Sequence, residues 1–155
     1  MAKQPRLWRL DAAETTLLLL ALDNKTIPEI IWFGSSLNEL PDADSIVAML
    51  DLPLPQAKLD NTVRLNLFPS SDSGLDINPA LRGHRQGTAF AHRFELEQIQ
   101  EQPQQLTISL VAERAQLAVD LVLALHEQSG VLSITTTLTN KGTTPYTVDL
   151  SLIHI

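Results

Sequence analysis

Leu117-Ala-Val-Asp-Leu-Val-Leu-Ala-Leu125, followed after a Glu-Gln-Ser-Gly turn by Leu132-Ser-Ile-Thr-Thr-Thr-Leu-Thr-Asn140, decides the fold. In the first stretch Leu117, Val119, Leu121, Leu123 and Leu125 recur at every second position. In the second, Leu132, Ile134, Thr136, Leu138 and Asn140 keep the same period. A period of two sends alternate side chains to opposite faces of an extended chain. Two such runs joined by a turn predict antiparallel strands that bury one face.

Working outward, residues 90–96, 106–112 and 146–152 read as further strands, set off by Gln/Glu/Pro, Glu-Arg and Asn-Lys-Gly-Thr-Thr-Pro turns. Upstream, residues 7–10 alternate, 11–14 read as a turn, and 15–22 form a short apolar run closed by Asp23-Asn24. That closure favours a buried strand over a helix. Residues 28–34 make the next strand and complete a hairpin. Asp42, Asp44 and Ser45 stand before Ile46-Val-Ala-Met-Leu50, the pattern of a capped helix start, and Pro53 and Pro55 end it. Residues 52–60 read as a proline-spaced connector and 63–67 as an alternating strand. The expectation is an all-β protein, an antiparallel two-sheet β-sandwich with one short helix.

Composition narrows the function. The 155 residues suit one domain with a real core. A hydrophobic fraction of 44% and a charged fraction of 19% are those of a folded protein. A net charge of −7 argues against nucleic acid, which needs a basic face. No cysteine occurs, so there is no thiolate chemistry, and a cytoplasmic setting fits. No apolar run is long enough to cross a membrane. Signatures of phosphate loops, dinucleotide sites, zinc proteases and serine hydrolases are absent. No cofactor is expected. His84 and His92 lie eight apart with no third His or Cys nearby, so no metal is expected either.

One segment stands out from this pattern of strands. Residues 67–87 hold three of the six glycines, two prolines and the polar side chains Asp72, Asp76, Asn78, Arg82, His84 and Arg85. Long loops in compact domains are usually functional. Asp72 reads best as a turn former in Ser-Asp-Ser-Gly, and Asp42 and Asp44 as helix caps. Asp76 is flanked by Leu75 and Ile77, which would pin its backbone. Trp8 and Trp32 are the two tryptophans, and core packing is the leading reading for both. Trp32, beside Phe33-Gly34, is the one placed to stack on a sugar at a sheet rim.

Pro69-Ser-Ser-Asp-Ser-Gly74, Pro79-Ala-Leu-Arg-Gly-His-Arg85, Phe94-Glu-Leu96 and the strand ending Leu138-Thr-Asn140 together resemble the amino-terminal domain of bacterial α-galactosidases of glycoside hydrolase family 36. The likeness runs from Trp32 to Asp149, and residues 79–85 are its distinctive part. It implies a β-supersandwich similar to galactose-mutarotase-like domains, placed ahead of a (β/α)₈ barrel that carries both catalytic aspartates. The parent would hydrolyse terminal α-galactosides with retention, through a covalent galactosyl-enzyme, and no catalytic residue is assigned within these residues.

In some members a loop of this domain reaches a neighbouring subunit's active site through a Tyr-Gly-x-x-Asp-x-Arg-x-Pro-Ala pattern. Here Pro79-Ala80 align, but Leu75 stands at the Asp position and Ile77 at the Arg position, so those contacts do not carry over. The substrate-contact candidates are Asp76, Asn78, Arg82, His84, Arg85 and Trp32. The partners implied are an α-galactoside, bound through the barrel, and further copies of the full-length enzyme. Two other readings stand beside this one: a stand-alone carbohydrate-binding sandwich, and a mutarotase-like enzyme using a His and a carboxylate.

The last six residues, Leu150-Ser-Leu-Ile-His-Ile155, match the translation of a transposon-end adapter used in DNA library preparation. The expected organisation is therefore a native sandwich domain over residues 1–149, a non-native tail over 150–155, and a parent reading frame that continues elsewhere.

Overall fold

The computed structural model describes residues 4–50, 66–70, 79–88 and 90–151. Nine strands and one helix occur among them: β1 (Arg6–Ala12), β2 (Thr15–Ala21), β3 (Glu29–Ser35), α1 (Ala43–Leu50), β4 (Leu81–His84), β5 (Glu95–Gln102), β6 (Gln105–Ala112), β7 (Leu117–Leu125), β8 (Leu132–Asn140) and β9 (Thr147–Ser151). They form three antiparallel sheets, ordered β1-β2-β3, β5-β6-β7-β8 and β4-β9.

The two larger sheets share one hydrophobic core. Leu10, Leu17 and Leu19 of the first meet Leu106, Ile108, Leu110, Leu117, Val119, Leu121, Leu123 and Leu125 of the second in a single cluster. In β6 and β7 burial alternates residue by residue, as the period of two requires. Each buried Leu, Ile or Val side chain contributes about 1.5–3 kcal/mol. β2 differs: every residue from Thr16 to Ala21 is buried. This is why its sequence is a continuous apolar run rather than an alternating one.

The turns follow local chemistry. Asp23 accepts hydrogen bonds at Oδ1 from the backbone N–H groups of Lys25 and Thr26, both 2.8 Å, and closes the β2–β3 connection. Asp42 caps α1, accepting from the Ser45 N–H at 2.9 Å and the Ser45 hydroxyl at 2.7 Å. These bonds hold the Asp42 carboxyl below its ordinary range. Gly130 has φ of 65° in the β7–β8 turn, and its amide donates to the His126 carbonyl at 2.8 Å.

Three expectations are corrected. Phe90 to Phe94 lie outside any strand, and β5 instead runs from Glu95 to Gln102, through residues that read as a polar turn. The reversal falls at Pro103-Gln104, with Gln104 at φ of 57°. Pairing with β6 supplies the ladder for β5, and its polar side chains face water at the sheet's edge. The helix begins at Ala43, one residue after its Asp42 cap. β4 arises inside what read as one long loop. The connector at 52–60 lies outside the described residues. So does most of the strand expected at 63–67, whose two described members, Asn66 and Leu67, are not in a strand.

Candidate functional site

The distinctive Pro79-Ala-Leu-Arg-Gly-His-Arg85 segment becomes β4 and the turn after it. Pairing with β9 makes its residues alternate: Leu81 and Gly83 are buried, Arg82 is exposed and His84 is half-buried. The register slips between Arg82 and Gly83, where a bulge bends the strand. The described residues on either side of 71–78 are tied together. Ala80 donates its N–H to the Pro69 carbonyl at 2.8 Å, and Leu67 donates to Pro28 at 2.9 Å. Phe68, fully covered, packs edge-on against Phe94 with ring centroids 5.0 Å apart. Asp72, Asp76 and Asn78 lie outside the described residues.

Arg85 is the centre of a hydrogen-bond network. Its guanidinium donates to the Thr144 carbonyl, to Thr144 Oγ1 at 3.1 Å, to the Ala115 carbonyl at 3.0 Å and to Asn140 Oδ1 at 2.9 Å. It also lies 5.8 Å from the centre of the Tyr146 ring. Asn140 in turn accepts from Gly142 N–H at 3.0 Å and donates to the Thr144 carbonyl at 2.9 Å. Two pieces of the sequence pattern, residues 79–85 and 138–140, thus meet at one planar fork. That geometry calls for Arg rather than Lys.

Next to it, Tyr146 Oη is 2.6 Å from His92 Nε2, and His92 is 2% exposed. Burial, then the charge of Asp149, push the Tyr146 hydroxyl up to about 12, against the opposing pull of Arg85.

Arg85 and Thr88 exchange both backbone hydrogen bonds, at 2.8 and 3.0 Å. Gln86 and Gly87 between them have φ of 52° and 77°, the signature of a tight two-residue hairpin turn. Gly87 donates its N–H to His84 Nδ1 at 3.1 Å. This leaves His84 Nε2 directed toward Asp149, 3.9 Å away. Arg82 and His84 therefore present the outward chemistry of this segment, while Arg85 is directed to the protein's own carbonyls.

Trp32 belongs to another sheet. It is 39% exposed on β3, donates from its indole to the Ser35 carbonyl at 3.2 Å, and neighbours the exposed Phe33. A cleft of about 500 Å³ is lined by Lys25, Arg93, Glu95, Glu113 and Arg114 among others, and none of the four described candidates, Arg82, His84, Arg85 and Trp32, lines it. Two of these residues, Lys25 and Glu95, pair at 3.0 Å. Among the described residues no cluster of three or more His, Asp or Glu could hold a metal, and no helix is long and apolar enough to cross a membrane. Reading the sequence alone missed Asn140, Thr144, Tyr146 and His92 as parts of this centre. Their signal was only the Leu-Thr-Asn ending of β8 and one tyrosine in an otherwise tyrosine-free chain.

The fold these strands define is an all-β antiparallel sandwich with one short helix. The chain belongs to the glycosyl hydrolase family 36 N-terminal domain family, whose model matches residues 26–153. It is 33% identical over 119 residues to an α-galactosidase of Escherichia coli, covering 75% of this chain and 16% of that protein. Among solved structures, a variant of the family 36 α-galactosidase AgaA of Geobacillus stearothermophilus, in complex with 1-deoxygalactonojirimycin, matches at a TM-score of 0.70 and 14% identity. That match covers 90% of this chain and 23% of the other. The galactosidase domain of an α-galactosidase–sucrose kinase matches at 0.68 and 16% identity, covering 94% and 23%. The chain spans under a quarter of the length of each of these relatives.

Proposed function

We propose that residues 1–149 are the amino-terminal sandwich of a retaining, cytoplasmic α-galactosidase whose catalytic barrel lies outside this sequence. The domain positions a polar loop at the entrance of that barrel's site and takes part in the contact between subunits. The observation that carries this reading is the family match over residues 26–153. The closed root at Pro69 and Ala80 supports it physically, as does the Arg85 fork that ties the end of β4 to Ala115 and Asn140. A loop on a rigid base keeps its polar groups in register with chemistry performed elsewhere. In this reading Arg82 and His84, with Asp76 and Asn78 of the loop, contact substrate, Trp32 supplies a stacking face at a separate rim, and Arg85 positions them.

The test uses an aryl α-galactoside. The isolated 155 residues should release no phenol, whereas the product of the full reading frame should. Arg82→Ala in that full product should raise KM about tenfold, the size of a lost charged hydrogen bond. Turnover by the isolated chain would sink the proposal, as would an unchanged KM for the assignment of Arg82.

The exposed ring of Trp32 favours one further reading, direct carbohydrate binding by this chain alone. Calorimetry with galactose decides it: heat that vanishes in Trp32→Ala supports binding, and no heat at high galactose dismisses it.

A further inference from the structure

β4 is a short strand with an imperfect ladder. It has four residues, pairs only with β9 among the described residues, and slips register between Arg82 and Gly83. A two-stranded ribbon of this size is marginal by itself. Arg82 and His84 nevertheless share one of its faces, two residues apart. Something besides the ladder must fix where that face stands.

Gly83, between the two, is where the strand is braced. Its open side meets Tyr146, and a Cβ there would collide with the Tyr146 hydroxyl. The same hydroxyl is 2.6 Å from His92 Nε2. One of the two groups donates and the other accepts, so the ring cannot slide off Gly83 without stretching that bond. His92 is encased, with its ring 6.3 Å from that of Phe94, and Phe94 packs on the buried Phe68. Phe68 and Gly83 flank residues 71–78 on opposite sides. A chain of rings, Phe68, Phe94, His92 and Tyr146, thus joins the two feet of that segment.

A brace that needed only bulk would not use this chemistry. His92 and Thr16 are the buried polar residues among those described, and Tyr146 is the chain's one tyrosine. Burying an imidazole costs free energy unless it is hydrogen-bonded, and two apolar side chains would fill the space without that cost. A polar pair adds a single position: a satisfied buried network specifies one arrangement, where apolar side chains repack.

We propose that His92 is a positioning residue, acting through Tyr146 and Gly83 to set Arg82 and His84 where they meet substrate. The functional role rests on the assignment of Arg82 and His84 above. The brace itself does not, since every contact in it lies inside this chain and needs no free surface.

Two measurements test it. In the 155-residue chain, NMR cross-relaxation between the Tyr146 ring protons and the Gly83 α-protons reports the brace. His92→Leu should weaken it severalfold, and His92→Gln, whose amide reaches the place of Nε2, should restore it. Tyr146→Phe keeps the ring and removes only the hydrogen bond, and should weaken the same signal should His92→Leu fail to fold. In the product of the full reading frame, turnover of an aryl α-galactoside reports the consequence. His92→Leu and Tyr146→Phe should each raise KM about tenfold with kcat within about twofold, and His92→Gln should bring KM back. With Arg82→Ala and His84→Ala already in place the same changes should add nothing, because nothing remains for the brace to set. A cross-relaxation signal indifferent to both substitutions overturns the inference. So does a rise in KM that is as large without Arg82 and His84 as with them, or an unchanged KM where Arg82→Ala raises it. An unchanged KM in Arg82→Ala itself sinks the assignment above instead, and the NMR signal then decides the brace.

Discussion

The phenol of Tyr146 crowds the open side of Gly83, four strands away in sequence and adjacent in space. A Cβ added at position 83 would sit 2.6 Å from Tyr146 Cε1 and would collide as well with its hydroxyl and with the Thr147 carbonyl. The glycine in Leu-Arg-Gly-His is therefore there for closeness of approach, not for an unusual φ.

Gly83→Ala should destabilise the protein by about 1–3 kcal/mol, the usual cost of overpacking, because one of the atoms it strikes is backbone and cannot swing away. Urea unfolding midpoints measure it. An unchanged midpoint would mean that the β4–β9 pair yields easily.

Arg85→Lys keeps the charge but loses the fork. A single ammonium cannot reach Thr144, Ala115 and Asn140 together, as the guanidinium does. About 2–3 kcal/mol should be lost, read as a lower urea unfolding midpoint. Equal stability of the Lys variant would show that the bonds to Arg85 are individually dispensable.

Stability should fall in alkali. The Tyr146 hydroxyl is pushed from 10.0 to about 12 in the folded chain. Between those values the unfolded chain has released its proton and the folded chain has not, so rising pH favours unfolding. The contribution is intact below pH 10 and gone above 12. Tyr146 is partly exposed, so solvent screening leaves about 1 kcal/mol. Tyr146→Phe should flatten this limb of the stability curve, and a limb as steep as the wild type's would contradict the assignment.

Trp8→Phe should cost little. The Trp8 indole N–H is buried with no hydrogen-bond partner among the described residues. Replacing it relieves an unsatisfied donor while leaving a smaller ring in the core, and the two effects oppose each other. A change within about 1 kcal/mol is expected. A loss above about 3 kcal/mol would show that the N–H has a partner.

Much of this was legible in one dimension. Strand periodicity in β6, β7 and β8 is a local property, because alternation of side chains is built into an extended backbone. The same is true of the Asp42 cap and the Asp23 turn, where side chain and backbone are three residues apart or fewer. The family resemblance rested on residues 79–85, and these residues do form one structural unit. What they do there was not legible. Arg85 read as a substrate-facing cation, like Arg82 three residues before it, and His92 read as an isolated histidine.

From sequence alone came the all-β class, most of the strands and the place where polar chemistry gathers, since each depends on neighbours along the chain. Tertiary structure decided which way the described ones, Arg82, His84 and Arg85, point. Arg85 turns inward because Ala115, Asn140 and Thr144, thirty or more residues away, offer it acceptors. Arg82 turns outward because pairing with β9 sets the face. A backbone dictates its own alternation, but which face meets a partner is settled only when distant strands close on each other.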